Sequence, residues 1–408
     1  MKPTGPIPAG FESIEGQLAI GGHTAAALVE QAGGTPLFVY SAERIRQRLA
    51  SLRKALPSRI RVHYAMKANP YPPILELMRG LVEGFDIASA GELQAALAAG
   101  QPGHRISFAG PGKRDEELAL AIEHGVTLNL ESEGEARRAL TIAETAGKTP
   151  RLAIRVNPDF ELRGSGMKMG GGARPFGIDA ERVPDLAKTI IGSGAEWRGL
   201  HIFTGSQALD AGAIAETQAG VIDLAARLTR EIGTPLPHLN MGGGFGIPYF
   251  AGDEPLDLGV IGKALEDRLG ALPAELAGAE LALELGRYLV GEAGVYLTRI
   301  VDRKVSRGQT FLVTDGGLHH QLAASGNFGT VVRRNYPVAI ASRFSANHEE
   351  EASIVGCLCT PLDRLADNAH LPRADVGDLV AVFCAGAYGA SASPSAFLGQ
   401  GAAREILI

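Results

Sequence analysis

The chain is poor in cysteine: Cys357, Cys359 and Cys384 are the full complement among 408 residues. Three thiols cannot build a disulfide framework, and the economical reading is a reduced, cytoplasmic setting. Long apolar runs are also missing. No uninterrupted stretch approaches the roughly 20 residues that a membrane-spanning helix needs. The opening "MKPTGPIPAGFESIEG" holds no apolar core of signal-peptide length. Basic excess is absent too: 39 Lys and Arg face 45 Asp and Glu, for a net charge of −6. With no dense Lys/Arg block, neither nucleic acid nor a membrane is an expected partner. What the chain has is a 45% hydrophobic composition, ample for a large core and more than one domain, and 53 glycines gathered in short loops.

From about residue 35 to 285 the pattern alternates short apolar strands with amphipathic helices. "PLFVYS", "RVHYAMKA", "FDIAS", "RISFAG", "TLNLES", "RLAIRVNP", "WRGLHIFTGS", "HLNMGGG" and "LALELGR" read as strands. Helical stretches such as "EGEARRALTIAETAG" lie between most of them. Repeated β-then-α units of this length imply parallel strands with right-handed crossovers. About eight such units predict a closed (β/α)₈ TIM-like barrel, with an open doubly wound sheet as the structural alternative. After Arg287 the texture turns rich in Val, Thr, Tyr and Leu with turn breaks, which predicts a mainly antiparallel β domain. The expected division is a barrel over 35–285 and a β domain over 1–34 and 286–408, with "GQLAIGGH" as a strand that joins the latter. "LRGSGMKMGGGARPFG" is a long Gly-rich loop, expected to be mobile and to cover a site.

In a barrel, functional groups project from the C-terminal ends of the strands. The strand ends of interest carry Lys67, Asp86, Arg155 to Asn157, His201 to Ser206, Gly242 to Gly246, and Glu284 with Arg287. Lys67 alone reads as a snorkelling strand-edge lysine. Asp86 and Glu92 alone read as helix N-terminal carboxylates. Together these residues offer one amine nucleophile, several carboxylates and a glycine cradle. "MGGGFG" supplies successive backbone N–H groups able to wrap a phosphate, and it is neither a Walker loop nor a G-x-G-x-x-G fingerprint. A phosphate-bearing cofactor beside a strand-end lysine points to pyridoxal phosphate held as a Schiff base. No metal is expected.

The motifs "YAMKANP", "FDIASAGEL", "FAGPGKR", "IRVNP", "GLHIFTGSQ", "LNMGGGFGI", "ELGR", "CTPLD" and "AGAYG" run in one order over nearly the whole chain. In that order they resemble the pyridoxal-phosphate-dependent decarboxylases of the alanine-racemase-like fold, fold type III, and among them the diaminopimelate and ornithine decarboxylases. The resemblance implies a (β/α)₈ barrel with a C-terminal β domain, an amino-acid α-decarboxylase passing through a quinonoid, and a homodimer. It implies that Lys67 carries the cofactor as a Schiff base, supported by Asp86 and Glu92. Ser206, Gly242, Gly243, Gly244, Arg287 and Tyr388 match residues around the phosphate. Glu284 matches the carboxylate that keeps the pyridine nitrogen protonated. Cys359 matches a cysteine donated in trans by the neighbouring subunit, poised to protonate Cα. Arg287, Thr360, Asp363 and Tyr388 fall at substrate positions.

Departures from the family pattern bear on the substrate. A histidine usually stacked on the cofactor ring is replaced by Phe203, two residues after His201. The glutamate that follows the trans cysteine in diaminopimelate enzymes is Thr360 here, and the Arg and Tyr that hold the distal carboxylate are Ala323 and Asn327. A buried substrate ion without its charge partner costs several kcal/mol. This argues against free diaminopimelate. "HIFTGSQ" with "CTPLD" resembles a subgroup linked to carrier-protein-bound amino acids and to exosortase-associated exopolysaccharide gene clusters. A tethered substrate needs fewer distal charge contacts. The rival readings are a racemase, against which Glu284 and Cys359 stand, and a non-catalytic cofactor-binding protein.

Overall fold

The computed structural model describes residues 1–160, 170–326 and 334–408, with the backbone of Met167 and Lys168. Part of the Gly-rich loop and Asn327 therefore lie outside the described residues. Two compact units are present. One comprises Leu49–Gly246 and Leu256–Gly286; the other comprises Met1–Arg48, Ile247–Pro255 and Arg287–Ile408.

The first unit is a closed parallel barrel. Its strands are β1 (Ile60–Ala65), β2 (Gly84–Ile87), β3 (Ile106–Phe108), β4 (Thr127–Leu130), β5 (Arg151–Asn157), β6 (Glu196–His201), β7 (His238–Gly243) and β8 (Glu280–Leu285). Each pairs in parallel with the next, and β8 returns to β1. Closure leaves no sheet edge, and helices cover the outside, so strands such as "LALEL" are fully buried, with Glu284 charged among apolar neighbours. The helices are cut by local chemistry. Pro72–Arg79 starts on prolines and buries Ile74, Leu75 and Met78 on one face. Ala90–Ala98 and Glu133–Ala146 start at Ser89 and Ser132, whose hydroxyls accept the N–H groups of Glu92 and Glu135. Ala211–Ile232 begins at the Asp210 cap and ends at left-handed Gly233.

The second unit holds a mixed, mainly antiparallel sheet built around the long strand Gly294–Ser306, which pairs with Gln309–Thr314 and Leu379–Val382. Two pairings in it are parallel: Gln309–Thr314 with Glu350–Val355, and Leu37–Tyr40 with Arg404–Leu407. The strand "LFVY" heads the β/α series in the sequence, yet it pairs antiparallel with Gly294–Ser306 in this sheet. Local pattern sets a strand's type, and only long-range pairing sets its sheet. "QLAI" lies in this unit and pairs with Glu12–Ile14 and His23–Thr24 in a small antiparallel sheet. Leu18, Ile20, Leu28, Leu37, Val39, Leu297 and Phe383 pack together as one apolar cluster.

Candidate active site

The strand β1 ends at Ala65, and Lys67 stands in the single 3-10 turn Met66–Ala68 that follows. Its Nζ lies 3.7 Å from Glu284 Oε1 and 5.4 Å from the centre of the Phe203 ring. Glu284, near the end of β8, is 6% exposed. His201, the last residue of β6, brings Nε2 to 2.9 Å from Glu284 Oε2. Burial pushes the Glu284 carboxyl up, but the Lys67 charge, the His201 hydrogen bond and the Arg155 charge prevail, and it stays well below the usual carboxylate range. Glu284 is thus an anion beside the amine at neutral pH.

The glycine run closes this end of β7. A Cβ on Gly243 would stand 1.9 Å from the Glu284 carbonyl oxygen, so the two strand ends meet only through glycine. Gly242 has φ +68° and donates its N–H to Asn240 Oδ1 at 2.9 Å. The Ser206 turn is tied to the same loop: Ala208 N–H donates to Gly244 O at 2.9 Å, and Gly246 N–H to Ala208 O at 2.8 Å. Lys67, His201, Phe203, Glu284 and the Gly242–Gly244 cradle therefore come together in the barrel unit.

Asp86 and Glu92 take other partners. Asp86 Oδ1 accepts the Ser107 hydroxyl at 2.6 Å, and Oδ2 is 3.6 Å from His63 Nδ1. Glu92 Oε2 accepts the Ala88 N–H at 2.6 Å as part of its helix cap. Burial raises the Glu92 carboxyl, with the Lys67 charge opposing. Arg155 emerges as a member of this neighbourhood. Its NH1 donates to Glu131 Oε1 at 2.9 Å, and its guanidinium stacks 5.0 Å from the Phe176 ring. Glu131 also accepts the N–H groups of Gly110 and Gly177. A charged residue inside the apolar run "RLAIRVN" was the sequence signal for Arg155; its pairing with Glu131, one strand away, is purely tertiary.

The other predicted residues belong to the second unit. Arg287 NH1 donates to Tyr249 Oη at 2.8 Å, and its guanidinium lies 4.6 Å from the Tyr388 ring centre. Tyr388 adopts φ +56°, a left-handed backbone rare outside glycine. Tyr249, missed by sequence reasoning, is buried, and its phenol is pushed up to about 12 by burial. Cys359 is exposed, Cys357 half-buried and Cys384 buried. Thr360 Oγ1 accepts the Leu362 N–H. Asp363, read as a substrate contact, is 2% exposed with both oxygens committed: Oδ1 accepts Leu318 N–H at 2.7 Å and Oδ2 accepts Leu358 N–H at 2.8 Å. Its carboxylate clasps two loops, which leaves it no free face for a substrate.

An amine over an aromatic ring, a buried carboxylate facing it and a glycine run at the neighbouring strand end fit a phosphorylated aromatic aldehyde. The comparisons agree. Residues 42–291 match the family described as pyridoxal-dependent decarboxylase, pyridoxal binding domain. The L-glutamyl-[BtrI acyl-carrier protein] decarboxylase of Niallia circulans is 36% identical, over 91% of this chain and 88% of that protein. The diaminopimelate decarboxylase of Aquifex aeolicus is 34% identical, over 93% and 88%. The crystal structure of diaminopimelate decarboxylase from M. jannaschii in complex with L-lysine superposes with a TM-score of 0.87 at 28% identity, covering 98% of this chain and 92% of that one. This chain belongs to the pyridoxal-dependent decarboxylases, and is an amino-acid carboxy-lyase that works with pyridoxal 5'-phosphate.

Proposed function

We propose that the protein removes the α-carboxylate of an amino acid carried on an acyl-carrier protein, with Lys67 as the residue that holds the cofactor. The observation that carries the residue assignment is the Lys67–Glu284–His201 line, with 3.7 Å and 2.9 Å between its members. Bound, pyridoxal phosphate supplies an electron sink for the pair left behind as carbon dioxide departs. The chain's own residues do the rest. Glu284, kept anionic, sets a negative charge where a protonated ring nitrogen needs a partner, and His201 fixes that carboxylate's orientation. Phe203 offers a flat apolar face that stacks without exchanging protons. The backbone at Gly243 and Gly244, with Ser206, would hold the phosphate in the barrel unit. Cys359, exposed in one subunit, delivers a proton to Cα in the site of its partner, which makes the working unit a homodimer.

The carrier-bound substrate is supported by what the distal positions lack. Thr360 and Ala323 offer no charge, and the Asp363 carboxylate is consumed by two backbone amides. A free second ammonium or carboxylate would find no counter-charge at these described positions. The N. circulans relative, an L-glutamyl-[BtrI acyl-carrier protein] decarboxylase, points the same way. The test is carbon dioxide release from L-glutamyl carrier protein, other aminoacyl carrier proteins and free meso-diaminopimelate. The expected outcome is turnover of a loaded carrier at least about 100-fold faster than of the free diamino acid, on the scale of one lost ionic contact. Efficient decarboxylation of free diaminopimelate overturns the substrate assignment and leaves the lysine chemistry standing.

A further inference from the structure

The barrel has a second opening. At the N-terminal ends of the strands, opposite in strand direction to Lys67, lies a cavity of about 630 Å³. That volume is in the range of small-molecule sites. Five arginines line it, Arg61, Arg79, Arg105, Arg151 and Arg198, against two glutamates, Glu83 and Glu280. Glu83 is already bound by Arg53 at 2.8 Å. Arg151 and Arg198 share Glu196, whereas Arg61, Arg79 and Arg105 form no salt bridge with any described residue. A cationic concavity on a chain of net charge −6 concentrates anions.

Two unpartnered buried donors support the same sign. Asn240 is 2% exposed and lines the cavity; its Oδ1 is taken by Gly242 N–H, which fixes the amide orientation and leaves Nδ2 with no partner. Arg198 Nε is likewise buried without an acceptor. Both atoms need an acceptor. His63, His238 and Glu280 place ligand-capable atoms within 4.8 Å of one another, the geometry of a loose cation site. The surplus guanidinium charge and the orphaned donors decide against a cation there.

We propose that this N-terminal mouth is a binding site for a small polyanion, a metabolite bearing two or more phosphate or carboxylate groups. Guanidinium forks at the rim take the anionic groups in bidentate fashion. Nothing in this placement uses Lys67 or the glycine cradle.

The experiment is isothermal titration of the holoenzyme, saturated with pyridoxal phosphate, with pyrophosphate and separately with citrate at low ionic strength. The expected result is saturable binding of one anion per chain, weakening with added salt, with the cofactor's visible absorbance unchanged. The Arg61→Ala/Arg105→Ala protein, altered only at exposed positions, is expected to lose at least tenfold in affinity, and Arg61→Gln part of that. Preference for pyrophosphate assigns the ligand a phosphoryl group, and preference for citrate assigns it a carboxylate. No saturable binding of either, or undiminished affinity in the double variant, overturns the proposal.

Discussion

Glu284 is the residue on which the electrostatics of the barrel site turn. It is buried, anionic, and pinned between the Lys67 amine and the His201 ring. Glu284→Gln keeps the shape and removes the charge. It is expected to retain bound cofactor and to lose on the order of 10²–10³ in kcat, a span typical for deleting a preorganised charge; steady-state carbon dioxide release checks this. His238 makes a different prediction. Burial first, then the His63 charge, lower its folded value from 6.5 to about 3. Between those two values the unfolded chain binds a proton that the folded chain refuses. Stability therefore rises with pH across that window and is lost on acidification, by up to ~1.4 kcal/mol per pH unit. His63 is shifted the other way: burial lowers it, but the Asp86 hydrogen bond and charge prevail and raise it. Its contribution is complete below 6.5 and is lost at higher pH, so it does not mask the effect. His238→Gln is expected to flatten the dependence of the urea midpoint on pH from 6.5 down to about 4; an unchanged profile contradicts the assignment.

At the level of elements, glycine and a clasp do work that no helix or strand propensity describes. Gly243→Ala drives a methyl into the Glu284 carbonyl, 1.9 Å away. The expected cost is about 1–3 kcal/mol of overpacking, together with weakened cofactor binding, read by thermal unfolding with and without pyridoxal phosphate. Asp363→Ala leaves two buried N–H groups unpaired and is expected to destabilise by about 2–5 kcal/mol, whatever the substrate. The barrel itself was legible because parallel strands under helices read as short apolar runs at regular spacing. Lys67, Glu284 and the glycine run were legible because they sit in family motifs at strand ends. The strand Leu37–Tyr40 was not placed correctly, because its apolar pattern is the same in either sheet. The Arg155–Glu131 pair, the Asp363 clasp and the arginine-lined mouth join residues far apart in sequence, and no local pattern encodes them.

At the scale of the whole molecule, the proposed trans role of Cys359 calls for two chains. If Cys359 acts in the partner's site, Lys67→Ala and Cys359→Ala homodimers are each inactive or nearly so, yet mixing them forms hybrids with one intact site. Random exchange makes half the dimers hybrid with one of two sites working, so about a quarter of native activity is expected to return. No recovery after verified exchange contradicts the trans assignment. The central claim is simpler: the amine of Lys67 carries the cofactor. Borohydride reduction of the holoenzyme, followed by digestion and mass spectrometry, tests it most directly. The account predicts a single pyridoxyl adduct on Lys67 and none in Lys67→Ala; an adduct on another lysine, or no adduct in a coloured native protein, contradicts it.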